Sequence, residues 1–220
     1  MKDLNQLLLK FENKQNFKYE DFFVSKSNYY AFNLINSWPK WEKNFLNING
    51  ERHSGKSHLS NIFLKKFKGI KINAHLFKNK ELKKLKVYQN IVLENFDENI
   101  DEILIYSLFN FIDQDNKYLI INSELPINEI SFKLSDLKSR TKNCLMAKID
   151  KPDDELMFAL ILKNFSDRQI LIDKKLIDFI INRVDRSYDK IFKFIYKIDE
   201  LSLKKQKPIN FKTIKEVLKV

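Results

Sequence analysis

The chain has 220 residues, 44% of them hydrophobic and 31% charged, so it is long enough to bury a core and too apolar for general disorder. Its single cysteine, Cys144, excludes a disulfide-stapled secreted scaffold and fits a reducing compartment. The longest apolar run, Leu156 to Leu162, has seven residues, whereas a membrane-spanning helix needs about 18. The first residues also lack the apolar stretch and cleavage site of a signal peptide. We therefore predict a cytoplasmic protein with no membrane partner.

The charge balance is basic, with 40 Lys and Arg against 29 Asp and Glu and a formal net charge of +11. A basic surface attracts nucleic acid. Here the lysines are spread along a chain that is also rich in Asn and Ile, and no block of them forms a basic tail. This pattern is typical of a compositional bias of the genome, and direct contact of the positive charge with DNA stays open as the alternative.

Short apolar segments alternate with segments of helical periodicity over the first two thirds of the chain. Ser27 is a candidate N-cap for a helix that ends before Pro39. Five strands are predicted, at residues 45–48, 70–72, 89–93, 118–122 and 145–149. Strands that alternate with helices predict an α/β fold, in which a parallel sheet is covered on both faces.

The character of the chain changes at Pro152, which is a favourable first residue of a helix. From there on, helices are predicted around residues 152–165, 174–184, 187–203 and 211–219, with no further strand. We therefore expect a flexible N-terminal arm at 1–16, an α/β domain at 17–150 and a small helical domain at 151–220.

A phosphate-binding motif accounts for two of the three glycines, in a chain where average composition would give about fifteen. Residues 50–57 match the pattern G-x-x-x-x-G-K-[ST], with a strand before and a helix after that Gly69 would cap. The backbone N–H groups of such a loop and of the helix N-terminus point at phosphate oxygens. The nucleotide-binding residues predicted here are Gly50, Glu51, Arg52, His53, Ser54, Gly55, Lys56, Ser57 and His58.

The chemistry of such a site assigns roles to individual residues. Lys56 would bridge the β- and γ-phosphates, and the Ser57 hydroxyl would ligate Mg²⁺ together with Glu94, which ends a buried strand. The expected cofactors are ADP or ATP with Mg²⁺. Asn95 follows Glu94 where a second acid would make a strong hydrolytic site, so we expect weak intrinsic hydrolysis at most. Asn122 ends the fourth strand and is a candidate to touch the γ-phosphate or the attacking water.

Several short segments along the chain form a recognisable series. They are Phe17–Val24 with Asn28 and Ala31, Trp38–Pro39, Ser54–Leu59, Leu108–Asn110, Leu134–Arg140, Pro152–Leu156 and Asp185–Ser187. In their order and spacing they resemble the AAA+ ATPases, and within them the DnaA ATPase-domain family and its short regulators of the Hda type. The resemblance covers about residues 17–218 and implies an AAA+ P-loop nucleotide-binding domain with a parallel sheet, followed by an all-helical lid.

The resemblance also implies roles for residues outside the phosphate loop. Phe22 and Val24 lie in the segment that helps enclose the adenine in this family, and Arg140 lies where the family carries its arginine finger, which would act in trans. The lid position of the nucleotide-sensing arginine falls near Asp189, with Arg186 one turn earlier. Because an aspartate repels phosphate, either the register is off by one residue or this sensor is lost.

A second short motif lies at the N-terminus. Residues 6–11 fit the pattern Q-x-x-L-x-F, which resembles the peptide that binds the DNA polymerase III sliding clamp. In that mode Leu9 and Phe11 fill an apolar pocket, beside Leu7, and the Gln6 amide hydrogen-bonds at its edge. The alternative is that these leucines pack on the domain that follows.

The resemblance implies a regulator of replication, because the chain ends at Val220 without the helix-turn-helix domain that reads origin DNA in the initiator. Such a regulator is nucleotide-bound and clamp-tethered, and it stimulates ATP hydrolysis by the DnaA initiator through Arg140. The expected partners are DnaA, the sliding clamp, DNA through the clamp, and a further copy of the chain whose site Arg140 would complete. The alternatives are an AAA+ ATPase that loads a helicase and a DnaA-like DNA-binding initiation factor.

Overall fold

Residues 19–205 and 208–218 of a computed structural model are described here. Their five strands form one sheet in the order β2-β3-β4-β1-β5, and every neighbouring pair is parallel. Each strand overlaps one of the five predicted segments, which confirms the predicted α/β fold. The strands are β1 (Phe45–Asn49), β2 (Ile70–Asn73), β3 (Asn90–Phe96), β4 (Tyr118–Ser123) and β5 (Leu145–Lys148).

Helices cover both faces of this sheet and then continue without strands in the described part of the chain. Successive strand residues alternate between two hydrophobic clusters, so that Val92 and Ile120 belong to one and Leu93 and Ile121 to the other. The helices are α1 (Tyr29–Asn36), α2 (Lys56–Phe67), α3 (Leu82–Leu85), α4 (Glu102–Gln114), α5 (Ser135–Thr141), α6 (Asp154–Asp167), α7 (Lys174–Ile181), α8 (Tyr188–Lys205) and α9 (Phe211–Leu218).

The last four helices, α6 to α9, form the predicted helical lid around a third hydrophobic cluster. Ile161, Ile177, Ile195 and Ile214, one from each helix, are buried together there. Within residues 19–205 and 208–218, no helix combines the length and the apolar character that crossing a bilayer requires.

Two predicted helix starts were wrong, for a shared reason. The first lid helix begins at Asp154 rather than at Pro152, because the Asp153 carboxylate accepts the Leu156 N–H at 2.8 Å and so caps α6. Ser27 does not cap α1: the residue before that helix is Asn28, and the Ser27 hydroxyl instead donates to the Asp153 carboxylate at 2.9 Å. The residue predicted to cap α1 therefore contacts the residue that caps α6.

Gly69 does not take the left-handed conformation that a helix C-cap would require. Lys68 takes the positive φ, 51°, after α2 ends at Phe67. Gly69 is needed for space, because a Cβ built on it would lie 2.3 Å from the backbone oxygen of Asn90 on β3. The glycine thus allows the chain to enter β2 close beside β3.

Gly69→Ala is expected to lower the free energy of unfolding by about 1–3 kcal/mol, since the Asn90 backbone and the Leu64 side chain must shift to admit one methyl group. Lys68→Gly is the matched control at the neighbouring position, and it should cause no loss because glycine adopts a positive φ freely. Urea denaturation of both variants measures the difference. Equal stability of Gly69→Ala and the wild type would contradict this account of the β2–β3 approach.

Candidate nucleotide-binding site

The predicted phosphate loop lies between the carboxyl end of β1 and the first residue of α2, Lys56. Gly55, directly before the helix, has a φ of +97°, and His53 within the loop has a φ of 65°. A Cβ on Gly50 would lie 2.9 Å from the carbonyl oxygen of Ile149. Both glycines of the motif are therefore demanded by the backbone, one by its dihedral angle and the other by a close approach.

Lys56 reaches across the loop. Its Nζ donates to the carbonyl oxygens of Gly50 at 2.6 Å and Glu51 at 2.9 Å. Burial lowers the pKa of this ammonium, and the carboxylates of Glu124, Glu94 and Glu51 oppose that shift. Sequence reasoning missed Glu124, although an acidic residue directly after a parallel strand was a usable signal. An ammonium held by backbone carbonyls at the mouth of the loop is placed to bind phosphate oxygens.

Ser57 and Glu94 meet beside the loop, as the sequence predicted. The Ser57 hydroxyl donates to Glu94 Oε2 at 2.9 Å, and the Glu94 side chain is buried. Glu94 Oε1 accepts no hydrogen bond, and Lys71 Nζ lies 4.0 Å from it. A hydroxyl and a carboxylate with a spare buried oxygen suit Mg²⁺, which prefers oxygen ligands. Elsewhere in the described residues, no group of three or more His, Cys, Asp or Glu is arranged to hold a metal ion.

The two predicted asparagines have different surroundings. Asn95 is exposed, with a φ of 57°, where the pairing of β3 with β4 shifts register. Asn122 is buried in β4, and its Nδ2 donates to the Ser60 hydroxyl of α2 at 2.7 Å. Asn122 thus holds α2 about one turn after the loop. The charged residue that follows β4 is Glu124.

Phe22 packs against the phosphate loop from the N-terminal side. Its ring stacks on Phe32 at 5.8 Å and meets the His58 ring edge-on at 5.2 Å. A Cβ on Gly55 would lie 3.2 Å from Phe22 Cε2, so the two are in close contact. Val24 is half-buried in the same segment. The structure therefore brings the predicted adenine-side segment to the loop.

The lid contacts the loop from the other side. The carboxylate of Glu51 accepts the Ser187 hydroxyl and the backbone N–H of Tyr188, the latter at 3.0 Å. The His53 ring lies 4.8 Å from the ring of Phe192 on α8. The start of α8 is thereby held at the phosphate loop.

The cations predicted near the phosphates are not equally placed. Arg52 is exposed on the loop. Arg186 forms a 2.8 Å ion pair with Asp154 at the start of α6. Asp189, at the sensor position of the resemblance, is paired with Lys193 at 2.5 Å, and the hydrogen bond from that lysine lowers the pKa of the carboxyl. The sensor position thus carries a carboxylate.

Arg140 lies on α5, far from this loop. Its guanidinium pairs with Asp113 and lies 5.4 Å from the centre of the Tyr106 ring, both on α4. Asp113 and Arg140 shortly precede β4 and β5, whereas the loop follows β1. Because the strands are parallel and a five-residue strand is about 16 Å long, Arg140 lies toward the amino ends of the strands, whereas the chain's own phosphate loop lies at their carboxyl ends.

The clamp-binding motif cannot be placed. Its residues, Gln6, Leu7, Leu9 and Phe11, lie outside the described residues, and their role stays a prediction.

His53 is expected to make folding stability depend on pH. Burial, followed by the charge of Arg52, lowers the pKa of His53 below its ordinary value of 6.5. The unfolded chain therefore binds a proton that the folded chain does not, so folding stability falls as the pH drops below about 6.5. We expect urea denaturation to show a larger loss between pH 7 and pH 5 for the wild type than for His53→Gln. An identical loss in both proteins would contradict this.

Comparison with protein-family models gives no match. Among known proteins, the chain is 25% identical to an uncharacterized protein of Haemophilus influenzae, over 79% of this chain and 81% of that protein. It is 24% identical to the chromosomal replication initiator DnaA of Borreliella afzelii (78% of this chain, 41% of DnaA) and 23% identical to that of Buchnera aphidicola (97% and 55%). The chain therefore spans about half the length of these DnaA relatives.

Solved structures share the fold. Domain III of Thermotoga maritima DnaA superimposes with a TM-score of 0.77 at 18% identity, over 93% of this chain and 96% of that one. AMPPCP-bound DnaA from Aquifex aeolicus gives a TM-score of 0.64 at 18% identity, over 84% and 64%, and Thermotoga maritima RuvB gives 0.69 at 12%, over 93% and 72%. The chain therefore has the AAA+ fold of DnaA domain III, and its sequence is similar to the DnaA initiators at 23% and 24% identity.

Proposed function

We propose that the chain binds ADP or ATP with Mg²⁺ at residues 50–57. The loop geometry and the Ser57–Glu94 contact support this proposal, and DnaA from Aquifex aeolicus was solved with AMPPCP. The loop N–H groups and Lys56 bind the phosphates, while Phe22 and Val24 border the base. Ser57 and Glu94 would hold Mg²⁺, which would neutralise charge on the phosphates.

We propose further that the chain is a negative regulator of replication initiation, which stimulates ATP hydrolysis by the DnaA initiator. The observation that carries this proposal is the location of Arg140, which is too far from its own loop to serve it. An arginine presented away from the chain's own phosphate loop can enter the nucleotide site of another AAA+ molecule. There it would stabilise the charge that develops on the transferred phosphoryl oxygens.

The chain's own catalytic groups favour an activator over an independent ATPase. Glu94 is the only acid within β3, and its Oε2 already accepts the Ser57 hydroxyl. Asn95 follows it, and an amide cannot take a proton from water. Slow hydrolysis by the chain itself is therefore expected.

In the proposed organisation, residues 1–16 tether the protein to the sliding clamp on DNA, 17–150 bind nucleotide and 151–220 form the lid. The tether would use Gln6, Leu7, Leu9 and Phe11, and DNA would be reached through the clamp. Head-to-tail association of two copies would use the same surface, the one that presents Arg140 on α5.

The test is ATP hydrolysis by the cognate DnaA initiator in the presence of DNA-loaded clamp, with and without this protein. Stimulation is expected, and it should be lost without clamp or in the double variant Gln6→Ala/Phe11→Ala. An unchanged DnaA rate, together with rapid ATP turnover by this protein alone, would favour the helicase loader instead. Sequence-dependent binding to duplex DNA would favour the initiation factor.

A further inference from the structure

The N-terminus of α8 is occupied by a side chain of the phosphate loop. Two donors at this terminus, the Ser187 hydroxyl and the Tyr188 N–H, bind the two oxygens of the Glu51 carboxylate. The Lys190 N–H donates in turn to the Ser187 hydroxyl at 3.3 Å. A negative charge at this end of a helix is stabilised by the free N–H groups and the helix dipole. Glu51 therefore fills a place that also suits an anionic ligand.

The cations of the same stretch are all engaged by carboxylates. Within residues 186–193, Arg186 pairs with Asp154, Lys190 with Asp185 and Lys193 with Asp189. Each lysine and arginine within residues 186–193 is thus already ion-paired. This stretch therefore holds no unpaired side-chain cation for a ligand phosphate. From the loop, the Glu51 carboxylate binds the first turn of α8 directly, while Arg52 is near enough to act on the charge of Asp189.

The residue next to this contact anchors the lid deeply. Tyr188 is 1% exposed and belongs to the hydrophobic cluster that contains Leu46 and Ile48 of β1. Its hydroxyl donates to the carbonyl oxygen of Asp150 at 3.0 Å. A shift of α8 away from the loop would therefore break the Glu51 contacts and expose a buried tyrosine together.

We propose that Glu51 is a positioning residue, whose carboxylate seats the first turn of α8 on the phosphate loop before any nucleotide binds. The lid then closes through a contact within the protein rather than through the terminal phosphate of the ligand. The effect of the Glu51 contact on nucleotide exchange rests on the proposed nucleotide site, because a nucleotide has to enter and leave past this contact.

Amide hydrogen exchange of the full-length, nucleotide-free protein tests the proposal directly. Glu51→Ala is expected to accelerate exchange at Tyr188 and Lys190 at least about tenfold, since the charged acceptor of the first turn is lost. Glu51→Gln keeps one acceptor oxygen without the charge and should give an intermediate rate. The amides of the buried strands β3 and β4 serve as the internal reference for correct folding and should not change.

Two controls separate this contact from a general effect of charge. Glu155→Ala removes an exposed carboxylate from α6 and should leave the exchange of Tyr188 within twofold of the wild type. At the Tyr188 amide, Ser187→Ala combined with Glu51→Ala should exchange no faster than Glu51→Ala alone, because both changes break the one contact that holds this amide. Unchanged exchange in Glu51→Ala, with the reference amides protected, would overturn the proposal.

Nucleotide supplies the second readout. Adding ADP or AMPPCP with Mg²⁺ should change the exchange of Tyr188 in the wild type less than about twofold, and the dissociation of nucleotide from Glu51→Ala should be at least about tenfold faster. A wild-type lid that becomes tenfold more protected on binding would overturn the proposal. Absence of any nucleotide binding would instead refute the proposed function, and the exchange of the nucleotide-free variants would still decide the role of Glu51.

Discussion

Replacing Lys56 by alanine is expected to weaken binding of ADP and ATP with Mg²⁺ at least about 100-fold, equivalent to about 2.7 kcal/mol. Lys56 is the cation that the structure holds at the centre of the loop, between the carbonyl oxygens of Gly50 and Glu51. Hydrogen bonds from an ammonium to phosphate are charge-assisted and are worth about 1.5–3 kcal/mol each. Titration calorimetry of the wild type and the variant measures the loss.

Lys66→Ala is the matched control for this experiment. Lys66 lies in the last turn of the same helix and donates to the Asn36 side chain at 3.2 Å, away from the loop. The Lys66→Ala variant loses the same positive charge as Lys56→Ala and should bind nucleotide as the wild type does. Binding by Lys56→Ala within threefold of the wild type would show that this loop is not the nucleotide site.

Arg140→Ala is expected to remove the stimulation of DnaA, returning its ATP hydrolysis to the unstimulated rate. Arginine fingers supplied in trans are worth about 10³–10⁵ in rate, so even the lower value would abolish a measurable effect. The variant should still bind nucleotide normally, since Arg140 lies toward the opposite end of the strands from the phosphate loop. This combination, intact binding with lost stimulation, separates a role in trans from a defect in the chain's own site.

Arg183→Ala provides the comparison for Arg140. Arg183 lies just after α7 with its guanidinium 3.7 Å from the centre of the Phe179 ring, so it also combines a charge with an aromatic contact. Stimulation by this variant should equal that of the wild type. Full stimulation by Arg140→Ala would mean that its pairing with Asp113 is an ordinary surface ion pair.

Local sequence signals were sufficient for the sheet and for the phosphate loop. The strands are predicted by their short apolar segments, and Gly50 and Gly55 stand out in a chain that has three glycines. The contact of Ser57 with Glu94 was also predictable. The phosphate loop follows the carboxyl end of β1, Glu94 lies near the carboxyl end of β3, and the carboxyl ends of parallel strands lie on the same side of the sheet. These inferences need only short stretches of sequence and the rules of parallel sheets.

Long-range pairings were beyond the reach of the sequence. Glu51 was assigned to nucleotide, yet its carboxylate binds Ser187, 136 residues further on. Nothing in either segment marks the other as its partner. Ser27 and Asp153 are each good helix caps locally, and only the folded chain shows that Ser27 is used by Asp153 rather than by α1. Where two local roles compete, the tertiary partner decides.

The contact between Ser27 and Asp153 has a consequence for the order in which the chain acquires structure. Its partners are 126 residues apart, and the Asp150 N–H also donates to the Ser27 carbonyl oxygen at 2.9 Å. During synthesis, the segment before α1 has no partner for these groups until residue 153 has emerged from the ribosome. Contacts of such large sequence separation form slowly. The entry into α1 and the start of α6 should therefore become ordered together, late in folding, as one event.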